Sequence, residues 1–442
     1  MYILFCLINV IWLLVFASFS LFSSMGASWL FSSSFIALYI LFIFLYAVFG
    51  AKLEDISELK KWLYIAVIIL IGLLFRILVR QIFRTEQLQD FGRAHEAFLF
   101  LSNNSWPDNN YYQLYYSRFP AWFPFFMVTR FIYNIFGVGV RYMIVLNYIL
   151  YILSAALLYA SVKRIFSFAT AFCAAAIFIF NPNLVVWSAI TSPDHFFIFL
   201  FICMFYFISR HYAEKDYRSL AMAAVFAALT DFFKPVALVF IIAYFCVEIF
   251  LLIQKFSIKN NYKNWAVFLL TFLTVYFTGH AIVRAEIARV FNTETVSSTG
   301  IYMAFAWSAD ESGKYTLDPV FEKFDALMEA HENNQVIVME EMSKYARELF
   351  SASRHQIPSI LWQKARITFG DEGVLGWVMH SDDAEYSAST HRVLGGLLWI
   401  GFTAHIFVIM FFSAIGTFFA IFEKKNRAAK NRAYYMLRLP VP

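Results

Sequence analysis

Apolar residues run through this chain in long blocks, not in the alternation of strands or the one-sided stripe of globular helices. Ten blocks stand out, at about residues 3–23, 30–50, 62–81, 142–161, 167–186, 195–213, 218–232, 236–254, 264–283 and 394–422. A hydrocarbon layer of about 30 Å needs roughly 20 residues of helix, which most of the blocks supply; the one at 218–232 is the shortest. Backbone polar groups in lipid must be satisfied inside the span, so only helices or closed barrels qualify, and unbroken runs select helices. The pattern predicts an all-α polytopic integral membrane protein with about ten transmembrane helices.

The polar intervals orient the spans. Lys52, Lys60 and Lys61, then Lys163 and Arg164, Arg210, Lys215 and Arg218, Lys255, Lys259 and Lys263, and finally the tail KKNRAAKNR all fall on one side. The excess of Lys and Arg in cytoplasmic loops puts that side, with both termini, in the cytoplasm. The expected organisation is a membrane core over 1–283 that includes an outer loop at 82–141, an extracytoplasmic subdomain at 284–393, a last span at 394–422 and a basic cytoplasmic tail at 423–442. In the outer loop, apolar residues of QLQDFGRAHEAF and WFPFFMVTRFIYNIFG recur at helical spacing, which predicts short helices in the interface. The second outer segment, with FEKFDALMEAHENNQVIVMEEMSKYARELF, reads as a small, mainly helical unit.

Composition agrees: 61% of the 442 residues are apolar and 20% aromatic, with a mean hydropathy of +0.63. The net charge of +5 is divided among loops, which marks topology and not a nucleic-acid surface. Cys6, Cys173, Cys203 and Cys246 stand singly inside apolar blocks, without the paired spacing of a disulfide framework or zinc site. The first block, lacking a basic leader, reads as an anchor and not a cleaved signal. No Walker A, GxGxxG, HExxH or GxSxG motif occurs, so nucleotide-driven transport and metalloprotease chemistry have no motif support.

Chemistry is therefore sought where ionisable residues collect at outer helix ends. QLQDFGRAHEAF sets Asp90, Arg93, His95 and Glu96 just beyond the third block, where a carboxylate stays hydrated yet lies near lipid headgroups. Asp90 is a candidate base there, and an i,i+3 ion pair with Arg93 is the plainer reading of the same residues. On one helix His95 and Glu96 would point about 140° and 120° from Asp90, which disfavours a three-ligand metal site within it. Arg76, Arg80 and Arg84 form one i,i+4 stripe, either snorkelling to headgroups or holding a lipid phosphate. ITSPDHFF and TDFFKP put Asp194 and Lys234 at helix ends broken by Pro193 and Pro235; an N-cap and a snorkelling lysine are the alternatives. WQKARITFGDEG carries Lys364 and Arg366 before a turn with Asp371 and Glu372. His380, Asp382, Asp383 and Glu385 have the atoms for a hard cation, although a solvated acidic loop is the commoner use of such a stretch.

In this order, QDFGRAHEAF, YYSRFP, SPDHFF, FFKP and QKARITFGDEG resemble the GT-C superfamily of membrane glycosyltransferases, specifically bacterial chains related to protein O-mannosyltransferases and the lipid A aminoarabinose transferase, over roughly residues 62–377. The resemblance implies inverting transfer of a sugar from a polyprenyl-phosphate-linked donor to a hydroxyl of an extracytoplasmic glycan, lipid or protein, on the outer face of a bacterial inner membrane. Asp90 matches the family's aspartate and would be the base. Lys234 and Lys364, with Arg118 and Arg84, would hold the donor phosphate; Asp194, Glu96, His95, Tyr115 and Tyr116 are the further substrate-binding candidates. Some GT-C enzymes bind a divalent cation such as magnesium or manganese beside such acids; this sequence requires none. The chain departs from its relatives in having one block after the large outer segment and two extra blocks at the start. Partners are the lipid donor, the acceptor and membrane lipid, with no nucleic acid. The rival function is transport or flipping of lipid-linked saccharides, which predicts two related halves with paired broken helices; no internal repeat is present.

Overall fold

The computed structural model describes residues 56–83, 85, 87, 89–103, 111–236, 239, 241–242, 244–246, 249, 261–309, 316–370, 404–411 and 413–415, with isolated positions before 56. Its regular elements are helices: α1 (Glu58–Phe83), α2 (Arg93–Asn103), α3 (Tyr111–Arg118), α4 (Phe123–Phe136), α5 (Val140–Ile165), α6 (Phe168–Ile179), α7 (Pro182–Trp187), α8 (Asp194–Glu214), α9 (Tyr217–Phe233), α10 (Asn261–Phe291), α11 (Thr299–Trp307), α12 (Asp318–Ala330), α13 (Gln335–Ala352) and α14 (Ile357–Gly370). α1, α5, α8 and α10 are long and apolar enough to cross a membrane, so this is a helical membrane protein. The expected number of about ten spans is not reached among the described residues. The blocks at 3–23, 30–50, 236–254 and 394–422 and the tail lie wholly or largely outside them.

One expected span divides. The block at 167–186 is two helices, α6 and α7, because Pro182 has no N–H with which to continue the ladder. Asn181 restarts the helix as its N-cap, its side chain accepting from the Leu184 N–H at 3.2 Å. The apolar count did not register this break, since an isolated Pro leaves hydropathy almost unchanged.

α9 packs between α8 and α10, and α8 packs on α5. Ala223, Ala224, Ala227 and Ala228 are fully buried on α9, and side chains this small let helix backbones approach closely, the main attraction available between helices in lipid. At one end of the bundle Lys163 pairs with Glu58 at 2.5 Å, and Arg164 reaches Ser209 at 3.3 Å. The described residues of 85–136 and 292–370 gather at the other end. There α11, α12 and α13 enclose a small core of their own around Val320, Val338, Met342 and Ala346.

Candidate active site

Asp90 lies in a single 3-10 turn, Gln89–Phe91, between α1 and α2. It therefore stands off the helix that carries His95 and Glu96. Gly92 permits the turn: a Cβ there would sit 2.7 Å from the Gln87 carbonyl oxygen. The Asp90 carboxylate is half exposed, with Arg93 Nε 2.7 Å from Oδ1. A pair so exposed contributes roughly 0–1 kcal/mol. Arg93 is held independently, its guanidinium 4.8 Å from the Tyr111 ring and 4.4 Å from that of Tyr115. Tyr115 donates its hydroxyl to Asp90 Oδ1 at 3.4 Å. Burial and then the Asp90 charge push the Tyr115 phenol far above its ordinary pKa, so it stays a donor. Tyr302 on α11 is raised by burial and by the same charge. The Asp90 carboxylate thus meets the Arg93 guanidinium and the Tyr115 phenol, and its charge is felt at Tyr302.

The other candidates in this loop divide. Glu96 is exposed and accepts from Tyr112 at 2.8 Å. His95 Nδ1 meets the Tyr133 hydroxyl at 3.0 Å. Tyr116 requires a correction: it is 1% exposed and stacks on Phe291 at 4.9 Å. With Tyr112 and Tyr115 it forms the i, i+3, i+4 face of α3 turned into the aromatic core, so it supports the wall and presents nothing to a ligand. Arg118 lies 4.2 Å over the Phe324 ring of α12. Burial lowers its pKa to about 10, opposed by Asp325. Beside it Ser117 donates to Glu294 O, and Gln335 donates to Leu114 O at 3.1 Å. Arg118 is thus part of the joint between α3 and the α11–α13 unit. Lys364 on α14 donates to Phe305 O at 3.2 Å, and burial lowers its pKa. Arg84, Asp371, Glu372, His380, Asp382, Asp383 and Glu385 lie outside the described residues. Among the described residues no three His, Cys, Asp or Glu side chains are grouped to hold a metal.

Burial lowers the His95 pKa, with Glu96 opposing. The folded protein therefore keeps His95 neutral to lower pH than the unfolded chain does, whose value is about 6.5. As pH falls through 6.5 the unfolded state binds the proton first, so stability drops with acidification. His95→Gln should flatten thermal stability between pH 7 and 5 relative to the intact protein; an unchanged slope would assign the acid sensitivity elsewhere.

Asp194 and Lys234 meet although 40 positions separate them. Pro193 precedes α8, leaving Asp194 in its first turn, where the helix dipole favours a carboxylate. Pro235 ends α9 and holds Lys234 extended. Lys234 Nζ lies 2.7 Å from Asp194 Oδ1, and Ser192 donates to Oδ2 at 2.7 Å. Asp194 is therefore not the N-cap, and Lys234 has a partner while half exposed. Deeper on the same helix Asp231, nearly buried, meets His280 of α10 at 3.2 Å.

A cavity of about 640 Å³ opens between α4, α9 and α10, and its α9 wall ends at Phe233, the residue before Lys234. Phe123, Met127, Phe232, Phe233 and Val283 line it together with the Glu286 side chain. Gly279 makes room for one wall: a Cβ there would stand 2.0 Å from Phe232 Cζ. Sequence reasoning quoted the motifs around this groove but not the groove itself, whose wall residues are ordinary span residues. Tyr302 was missed as well, since it sits in an apolar helix with no flanking motif.

A many-helix membrane protein with an ionic site at one end of its bundle and an apolar groove beside it is the class these features define. Residues 121–282 match the family model of the dolichyl-phosphate-mannose-protein mannosyltransferases, a GT-C family domain. The match contains Asp194, Lys234 and all of the groove's lining but Val283 and Glu286; Asp90, Arg118 and Lys364 lie outside it. No curated protein matches the chain.

Proposed function

We propose that this protein transfers a sugar from a polyprenyl-phosphate-linked donor to a hydroxyl on an extracytoplasmic acceptor, on the outer face of the membrane. The observation that carries the reading is the closeness in sequence of an apolar cavity wall and a cation: Phe232 and Phe233 line the cavity, and Lys234, the next residue, carries a half-exposed ammonium paired with Asp194. A polyprenyl phosphate has that shape, an anionic head on an apolar tail. The tail lies in the groove, unhydrated, while Lys234 neutralises the phosphate as it departs. Because phosphate leaves readily, little acid is needed, and the remaining demand is a base for the acceptor hydroxyl. Asp90 fills that role, half open beside Tyr115 and Tyr302. The family match to a mannosyltransferase makes polyprenyl-phosphate mannose the donor to try first.

Gly279→Ala tests the groove. The added methyl forces the Phe232 ring into the cavity, so the apparent KM for a long-chain donor should rise about tenfold while that for a short-chain analogue changes little, as each buried CH₂ is worth about 0.8 kcal/mol. A variant that retains the intact protein's preference for long chains would remove the groove from the donor site.

A further inference from the structure

The loop Ser188–Thr191, between α7 and α8, is held by side chains from three directions. Asn147 of α5 donates to Ser188 O at 3.3 Å and Ile190 O at 2.8 Å. His195 Nε2 meets Ile190 O at 2.8 Å and therefore carries the proton, leaving Nδ1 to accept from the Tyr151 hydroxyl at 3.2 Å. Gln87 donates to Ala189 O at 2.9 Å. Asn147, Ser188, Thr191 and His195 are each 5% exposed or less. Burying such groups is costly unless they are bonded. Asn147 Oδ1 alone among these side chains lacks a hydrogen-bond partner among the described residues, and the bonds from Asn147, His195 and Gln87 hold the carbonyls of Ser188, Ala189 and Ile190 in place.

Thr191 closes the joint. Its N–H donates to Gln87 Oε1 at 2.6 Å, and its hydroxyl lies 2.6 Å from Phe91 O and 2.9 Å from Gln87 Oε1. One hydroxyl carries one proton, and the shorter contact, to Phe91 O, is the better placed to take it. Phe91 is the neighbour of Asp90 in its 3-10 turn, and its ring meets Trp187 edge-on at 5.4 Å. Three residues after Thr191 stands Asp194, paired to Lys234.

We infer that Gln87 and Thr191 are positioning residues: they lock the turn bearing Asp90 to the loop that leads into α8, whose first residue, Asp194, pairs with Lys234. The joint is a matter of geometry alone; its catalytic meaning rests on the transfer reading above. In that reading Asp90 meets the acceptor and Lys234 the donor phosphate, so the joint sets the distance across which sugar passes. Rates fall about a hundredfold for a misplacement near 1 Å.

The test uses the full-length protein in lipid nanodiscs, with radiolabelled polyprenyl-phosphate mannose as donor and backbone hydrogen exchange as a second readout that needs no activity. Thr191→Val keeps the shape and loses the hydroxyl; kcat should fall at least tenfold with donor KM within twofold, and segments 87–92 and 188–195 should exchange faster together. Thr191→Ser restores the hydroxyl and should recover both readouts. Gln87→Glu, which sets a carboxylate against Ala189 O, should behave as Thr191→Val does. Full kcat in Thr191→Val, faster exchange in one segment alone, or Thr191→Ser falling as far as Thr191→Val would each overturn the inference. Coupled exchange in a protein that transfers from no donor would leave the joint standing as geometry and remove the transfer reading, and with it the positioning role.

Discussion

Asp90→Asn lowers sugar transfer by about 10²- to 10⁴-fold, the range a positioned general base supplies, and leaves the protein folded. The substitution preserves shape and removes the carboxylate charge and basicity needed to take the acceptor's proton. Its structural cost is small. The pair with Arg93 is half exposed, and Arg93 keeps its place between Tyr111 and Tyr115. The loss falls on kcat, because in this account Asp90 meets the acceptor and not the donor lipid. Measuring turnover of labelled donor at saturating concentration, at equal protein abundance, reads it directly. Transfer at the intact rate would reduce Asp90 to a surface ion-pair partner of Arg93.

Lys234→Gln is the second large effect. A charge-assisted hydrogen bond to phosphate is worth about 1.5–3 kcal/mol, so transfer efficiency drops roughly ten- to hundredfold, mostly in donor KM. The same substitution also strips Asp194 of its partner, and the two causes are separable. In the double variant Lys234→Gln with Asp194→Asn, no unpaired carboxylate remains. If Lys234 serves the phosphate, the double variant stays as impaired as the single one; recovery of activity would mean that Lys234 acts only to neutralise Asp194.

How much of this was legible in the sequence depended on whether the signal was local. The spans α1, α5, α8 and α10 are long apolar runs with few charges, and length and hydropathy identify them. The division of 167–186 turns on Pro182, a single residue that hydropathy averages away. Asp194 and Lys234 were found because Pro193 and Pro235 mark helix ends, yet the ion pair between them depends on how α8 packs on α9. Tyr116 shows the reverse error. The resemblance made it a substrate-binding candidate, while the helical period of YYQLYY already put positions 112, 115 and 116 on one face, which the fold turns inward. Arg118 and Lys364 were chosen for charge, but their partners, Phe324 and Phe305 O, belong to helices distant in sequence. Gln87 and Thr191 left no trace in the pattern. Neutral residues joining two loops about a hundred positions apart carry no period and no motif.

The central claim is that sugar leaves a lipid carrier at this site. Membranes containing the intact protein, Asp90→Asn or no added protein are supplied with radiolabelled polyprenyl-phosphate mannose, and label is followed in the lipid and in non-lipid product. The account predicts that label passes from lipid to product with the intact protein alone. Label that stays on the lipid while crossing from one leaflet to the other would contradict it and identify a transporter.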